Sequence, residues 1–330
     1  MQNIIKSQFH DFIKIKKHKG TPISTQSIKI YVSQFNSLLD LFNKANTPKF
    51  LLNPDNVLKL LETKITNINT FKLKLNIILM ALECFYSKTK NYEEIKKIYN
   101  DYLTNVMKII KEQANSHIPT ETQINKALDK QENELIIKGL KQNLRHSIQN
   151  NKDLLHLQQY IIYMIFESIP MRGDIATSKF ILIKDKHKMS TEENYVILDK
   201  VNKEAIYIQV NYKTKKHYKN NDIQLPKDLY KYIAKLYNYY NNKLKIKNKY
   251  FMYEKDNKTP FNENYLSKFY SNIGLQFINK NISIQVNRVQ SVSIDGDSID
   301  ILEEKAKKQN HSMNVHTTTY YKRGLKSKQE

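Results

Sequence analysis

Strand-like sequence occupies one interval of this chain, and that confinement limits the folds open to it. Four short β-branched or alternating runs follow one another between polar turns: Lys179–Lys184, Tyr195–Leu198, Ala205–Val210 and Asp222–Leu225. Their lengths and spacing predict a small antiparallel sheet of three or four strands. Elsewhere the apolar residues recur at helical spacing. Ser24 and Thr25 can cap a helix whose apolar face includes Ile28, Tyr31, Phe35, Leu38, Leu39 and Phe42. Asn53-Pro54 reads as a second helix start, followed by Val57, Leu58, Leu60 and Leu61. Thr66–Tyr86 carries Phe71, Leu75, Ile78, Leu79, Leu82 and Phe85 on one side, with Lys72 and Lys74 expected to face outward. Tyr92–Glu112 supplies a fourth helix. The expected fold is therefore mainly α with a small antiparallel β-sheet.

The 330 residues are enough for about two ordinary domains. A polar stretch from Glu112 to Thr122, with Pro119 inside it, interrupts the periodicity and reads as a linker. The expected division is a helical domain over 1–115, a linker over 116–122 and an α+β domain over 123–330. Helices are expected again from Gln123 through Phe166, then at Leu229–Asn241, Phe261–Ile278, around Arg288 and at Ser298–Lys308.

Composition narrows function by exclusion. Six glycines are too few for a phosphate-cradling glycine-rich loop, which argues against nucleotide-driven chemistry. Cys84 is the sole cysteine, so an internal disulfide and a cysteine-rich metal site are excluded. His311 and His316 lack an acidic or thiolate partner nearby, and no metal is expected. No apolar run approaches the length of a membrane span, and the opening MQNIIK carries no apolar export signal, so an intracellular location is expected. The formal net charge of +22 favours a polyanionic partner. AT-rich coding also enriches Lys, Asn, Ile and Tyr, so charge alone does not decide the matter.

The arginines are more selective. Only Arg145, Arg172, Arg288 and Arg323 occur, while lysine supplies the rest of the 54 basic residues. A planar guanidinium grips phosphate or carboxylate with two parallel hydrogen bonds, which an ammonium cannot do. Arg172 and Arg288 are the candidates for that task. Near the C-terminus, Arg288 is followed by His311 and by Tyr320 and Tyr321 in a strongly basic chain. Two guanidiniums, an imidazole, a phenol and a nearby lysine form an inventory suited to a phosphodiester.

The spacing of these groups resembles the tyrosine recombinases, the lambda-integrase-like site-specific recombinases. His311-Ser312 precedes Thr317-Thr318-Thr319 and then Tyr320, nine residues after His311; Arg288 stands 23 residues before that histidine. An earlier box, Glu167-Ser168-Ile169-Pro170-Met171-Arg172-Gly173-Asp174, follows a long apolar helix and precedes the first strand run. The resemblance implies an N-terminal helical core-binding domain and a tyrosine-recombinase catalytic domain. It implies Tyr320 as nucleophile, with Tyr321 as fallback, forming a 3′-phosphotyrosyl link. Arg172 and Arg288 would clamp the phosphate, and His311 would support its charge. Lys213 is the general-acid candidate, with Lys215 and Lys216 as rivals that also qualify as DNA contacts beside Lys72 and Lys74.

No cofactor is implied, and the implied partners are double-stranded DNA and further copies of the chain in a tetramer. The departures are definite. Gln285 stands where the family usually has a histidine, Asn310 replaces a glycine, and Asp174 lies two residues after Arg172 rather than three. If Asp174 kept the acidic slot, Met171 would occupy the arginine slot. Such divergence suggests a viral or mobile-element member. The expected function is a site-specific DNA recombinase or integrase. The alternatives are a type IB DNA topoisomerase and a catalytically degenerate DNA-binding protein.

Overall fold

The computed structural model describes residues 2–18, 20–42, 47–211, 221–247 and 249–292. The chain divides into two compact units, Met1–Ser116 and His117–Glu330. In the first unit, α1 (Gln2–Ile15) leads through the two-residue strands β1 (Lys17–His18) and β2 (Thr21–Pro22) into α2 (Thr25–Leu41). Then come α3 (Pro54–Lys64), α4 (Ile68–Tyr86) and α5 (Tyr92–Asn115). The helix starts have local causes. Ser24 caps α2 by accepting from the Ser27 amide at 3.2 Å, and Asn53 caps α3 by accepting from the Asn56 amide at 3.3 Å, with Pro54 in the first turn. Phe9 of α1 stacks on Phe35 of α2, with centroids 4.2 Å apart, at the heart of this core.

Helix α4 departs from the sequence expectation at Lys74. The outward face assigned to it does not exist there, because α4 is a central helix that packs against α1, α2 and α5. A helix with neighbours on three sides buries more than an amphipathic stripe. Lys74 is only 4% exposed, and its ammonium donates to the Gln34 carbonyl of α2 at 3.0 Å. Burial pulls its pKa below the usual lysine range. Lys72, on the same helix, is half-buried.

The second unit opens with α6 (Glu121–Lys126), α7 (Lys130–Asn143) and α8 (Asn151–Ser168). Four strands follow, β3 (Lys179–Leu182), β4 (Tyr195–Asp199), β5 (Glu204–Gln209) and β6 (Asn221–Gln224), in the sheet order β3-β4-β5-β6. Helices α9 (Tyr230–Asn242), α10 (Glu263–Ile278) and α11 (Ile284–Val292) complete the described part. The described residues are thus mostly helical with one small sheet, and a further two-stranded pairing near the start. The sheet is mixed rather than antiparallel. β4–β5 and β5–β6 are antiparallel, but β3 and β4 run parallel, with Lys179 opposite Tyr195 and Leu182 opposite Leu198. The cause is the connection. Residues 183–194, beginning with a 3-10 segment at Ile183–Lys188, carry the chain back to the starting end of β3. A two-residue hairpin would have forced antiparallel pairing, whereas a crossover of a dozen residues permits a parallel one.

The sheet buries both faces, which accounts for the unbroken apolar run of β4. Val196, Leu198, Ala205 and Tyr207 join the main core with α8 and α10 residues such as Phe166 and Tyr270. Tyr195, Ile197 and Ile208 close a small second core with Ile183 and Met189 from the crossover. Among the described residues no helix is long and apolar enough to cross a membrane.

Candidate active site

A cleft of about 1070 Å³ opens on the second unit where the end of α8, the start of β4, the start of α10 and α11 meet. Arg172, Gln285 and Arg288 all line it, although Arg172 and Arg288 are 116 positions apart in the chain. Each is placed by a local device. Arg172 follows Ile169-Pro170-Met171, which ends α8, and it precedes the 3-10 turn Gly173–Thr177. Met171, the alternative occupant of the arginine slot, is 2% exposed and belongs to the hydrophobic core. The guanidinium of the next residue is therefore the one presented to the cleft. Arg288 and Gln285 are separated by one helical turn of α11 and share a face. Arg288 is 6% exposed, while Gln285 is open to solvent.

Helix α11 is tied down beside the cleft. The Asn287 side-chain amide donates to the Phe166 carbonyl in α8. Gln290 accepts from the Leu128 amide at 3.0 Å and donates to the Leu128 carbonyl at 2.8 Å, a two-way clamp on buried backbone. At the other rim, Asn194 accepts from the Val210 and Asn211 amides at 2.9 and 2.7 Å, while the Lys179 amide donates to its carbonyl at 2.8 Å. One asparagine thereby joins β3, β4 and the end of β5 where they reach the cleft.

The electrostatics centre on Asp174. Its carboxylate accepts from the Gln209 amide at 2.7 Å. Burial and the neighbouring Glu263 carboxylate push its pKa up to about 6, while the Arg172 and Arg288 guanidiniums pull the other way. Both arginines thus act on one carboxylate. Arg172 Nη1 is shielded from solvent and has no hydrogen-bond partner among the described residues. An oxyanion in the cleft would supply the acceptor it lacks. Glu192, Glu193 and Glu263 also line the cleft, so carboxylates outnumber guanidiniums in its described lining.

Sequence reasoning missed Glu192, Glu193, Asn194 and Glu263. For Glu263 a partial signal existed. Asn262 caps α10 by accepting from the Tyr265 amide at 2.9 Å, so the helix start was legible but its direction was not. Lys213, Lys215, Lys216, His311 and Tyr320, with Tyr321, fall outside the described residues, as does the helix expected at Ser298–Lys308.

The Asp174 shift has a measurable sign. A carboxyl whose folded pKa lies above its ordinary value of 3.8 is stabilising when neutral. That contribution is complete below about pH 4 and is lost as pH rises through about 6. Asp174→Asn stays neutral throughout. Urea unfolding should show it matching the parent near pH 4 and exceeding it by about 1–3 kcal/mol at pH 7. Parallel stability curves from pH 4 to 7 would contradict the placement of Asp174 between opposing charges.

No family model matches this chain, and no curated protein does. Among solved structures it is similar to one described as the crystal structure of XerA recombinase. The identity is 14%, the match covers 96% of this chain and 93% of that chain, and the TM-score is 0.38.

Proposed function

We propose that the chain is a site-specific DNA recombinase of the tyrosine type. The observation that carries the proposal is the convergence of Arg172 and Arg288 on one cleft, with the Arg172 Nη1 hydrogens unspent. Two guanidiniums facing a common space suit the non-bridging oxygens of a phosphodiester and the added charge of its pentavalent transition state. The spacing from Arg288 to His311 and on to Tyr320 supplies the remaining chemistry. In this reading the Tyr320 hydroxyl gives its proton to water and its oxygen bonds to phosphorus as the bond to the 5′ oxygen breaks. A lysine among Lys213, Lys215 and Lys216 gives that oxygen its proton. The phosphotyrosyl bond conserves the energy of the broken link, and the reverse attack by a 5′-hydroxyl rejoins the strand. Copies assembled as a tetramer would bring two sites together.

The test is a suicide duplex carrying the cognate site, incubated with the intact chain. A protein–DNA adduct that survives SDS and disappears in Tyr320→Phe is expected. An undiminished adduct in that variant removes Tyr320 from the role. Relaxation of supercoiled plasmid by a monomer, without any specific site, would transfer the reading to a type IB topoisomerase.

One observation favours a second reading. Gln285 is exposed on the cleft in the turn before Arg288, and an amide there can hydrogen-bond but cannot accept a proton. A non-catalytic DNA-binding protein would bind duplex with a steep salt dependence and give no adduct on any DNA.

The lysines separate in the same assay. Lys72→Ala is expected to reduce the slope of log affinity against log salt by about one, as for one lost phosphate contact. Lys74→Met should leave that slope unchanged, because its ammonium is committed to the Gln34 carbonyl. Anisotropy titrations from low to high salt check both.

A further inference from the structure

A second cleft, of about 480 Å³, lies along β3, the outer strand of the sheet. Its far wall is the segment that pairs with that strand: the Phe180 amide donates to the Lys249 carbonyl at 2.8 Å, and Lys179 bridges to Tyr250. Four lysines line it, Lys179, Lys188, Lys247 and Lys249, with two carboxylates, Asp185 and Glu193. The carboxylates are already engaged. Asp185 accepts from Lys188 at 2.8 Å, and Glu193 pairs with Lys179 at 3.4 Å. Among the described residues, Lys247 and Lys249 have no hydrogen bond to their ammonium groups and no carboxylate within ion-pair distance.

Lys249 is the informative one. It is 8% exposed, and among the described residues its charge meets the face of Tyr237, 5.1 Å from the ring centroid, and the field of Asp185. The side chain is nine-tenths buried with its ammonium turned to the cleft, and burial lowers its pKa. An anion would supply both the missing charge and the missing acceptors.

We propose that this cleft binds a phosphate group, held by Lys249 and Lys247 with the Tyr237 ring as its apolar wall. Two ammonium groups facing one cleft complement the negative charge of a phosphate group. The two clefts share Glu193, but Lys247 and Lys249 line the second and not the first, and the proposal stands whether or not the chain cuts DNA. The phosphate can come from a DNA strand passing the sheet or from a free ligand, and the two sources separate experimentally.

The intact chain is labelled with a limiting amine-acetylating reagent, and the extent at each lysine is read by peptide mass spectrometry. Labelling is repeated with inorganic phosphate, with pyrophosphate and with a mixed-sequence duplex lacking terminal phosphates, at ionic strength matched with chloride. At a phosphate or pyrophosphate concentration roughly ten times the dissociation constant, mass action predicts about a tenfold fall in Lys249 labelling. The exposed Lys203 should be unaffected. Protection by the duplex as well assigns the site to DNA, and protection by the small anions alone assigns it to a free phosphate. Lys247→Gln should weaken the protection while leaving the Lys203 control unchanged. Equal labelling of Lys249 under every probe, or protection that falls equally on Lys203, overturns the proposal. Neither result bears on the Tyr320 adduct.

Discussion

Arg288→Ala is expected to lower the rate of covalent adduct formation by about 10²–10³, the typical loss when one preorganised donor to a developing oxyanion is removed. The size of the effect follows from its setting. The residue is 6% exposed on α11, it lines the cleft with Arg172, and its charge helps hold down the Asp174 pKa. The side chain is itself largely shielded from solvent, so the interaction is worth more than it would be on the surface. Arg288→Lys restores charge without the planar fork and should recover only part of the rate. Single-turnover cleavage of a suicide duplex at saturating protein gives the comparison, and thermal melts verify that the variants fold. A second consequence is specific to this site. With Arg288 gone, the Asp174 pKa should rise above about 6, because one of the two pulls on it has been removed. A wild-type rate in Arg288→Ala would eliminate the phosphate clamp.

Gly274→Ala should be the most damaging single-methyl change in the second unit. After α10, Asn279 takes a left-handed conformation with φ of 52°, and the chain folds back over the helix it has just left. The Lys280 amide reaches the Gly274 carbonyl at 3.3 Å. A Cβ at Gly274 would lie 2.4 Å from the Lys280 carbonyl oxygen and 2.7 Å from Ile282 Cγ2. Backbone cannot rotate aside as a side chain can, so the whole return has to shift. Overpacking of this kind costs about 1–3 kcal/mol and sometimes more. In a unit of this size each kcal/mol lowers the unfolding midpoint by about 2–4 °C. Because the displaced segment leads directly into α11, adduct formation should fall as well. Gly139→Ala is the contrasting case. Its Cβ would meet the Phe277 ring at 2.4 Å, and a ring can swing. Its midpoint should fall by less, and a larger fall than for Gly274→Ala would contradict the argument.

The elements were legible wherever the signal was local. The cap at Ser24, the Asn53-Pro54 start and the four strand runs are written in adjacent residues, and the helices and strands lie within a residue or two of those positions. What depended on distant partners was not legible. Lys74 has the same neighbours in sequence as an outward lysine would; its burial follows from α2 crossing α4 at Gln34. The parallel pairing of β3 with β4 depends on the path of the crossover, which alternation along a strand cannot show. For the cleft, no periodicity connects Arg172 to Arg288. Their selection came from the scarcity of arginine and from a family-like spacing, and Glu263 and Asn194 lay outside both signals. At the Met171-Arg172 pair, packing puts the thioether in the core and the next side chain on the cleft, which neither residue type alone announces.

Arg172 lies four residues beyond the end of α8, and α11 is bonded through Asn287 to Phe166, two residues before that helix ends. The two cationic arms therefore hang from a common mast. Jostling of the mast carries both along and preserves their spacing, so the gap between them need not be set afresh each time a substrate arrives. Damage to that one anchorage would disable both arms together, and a double deletion would then cost less than the two single losses combined.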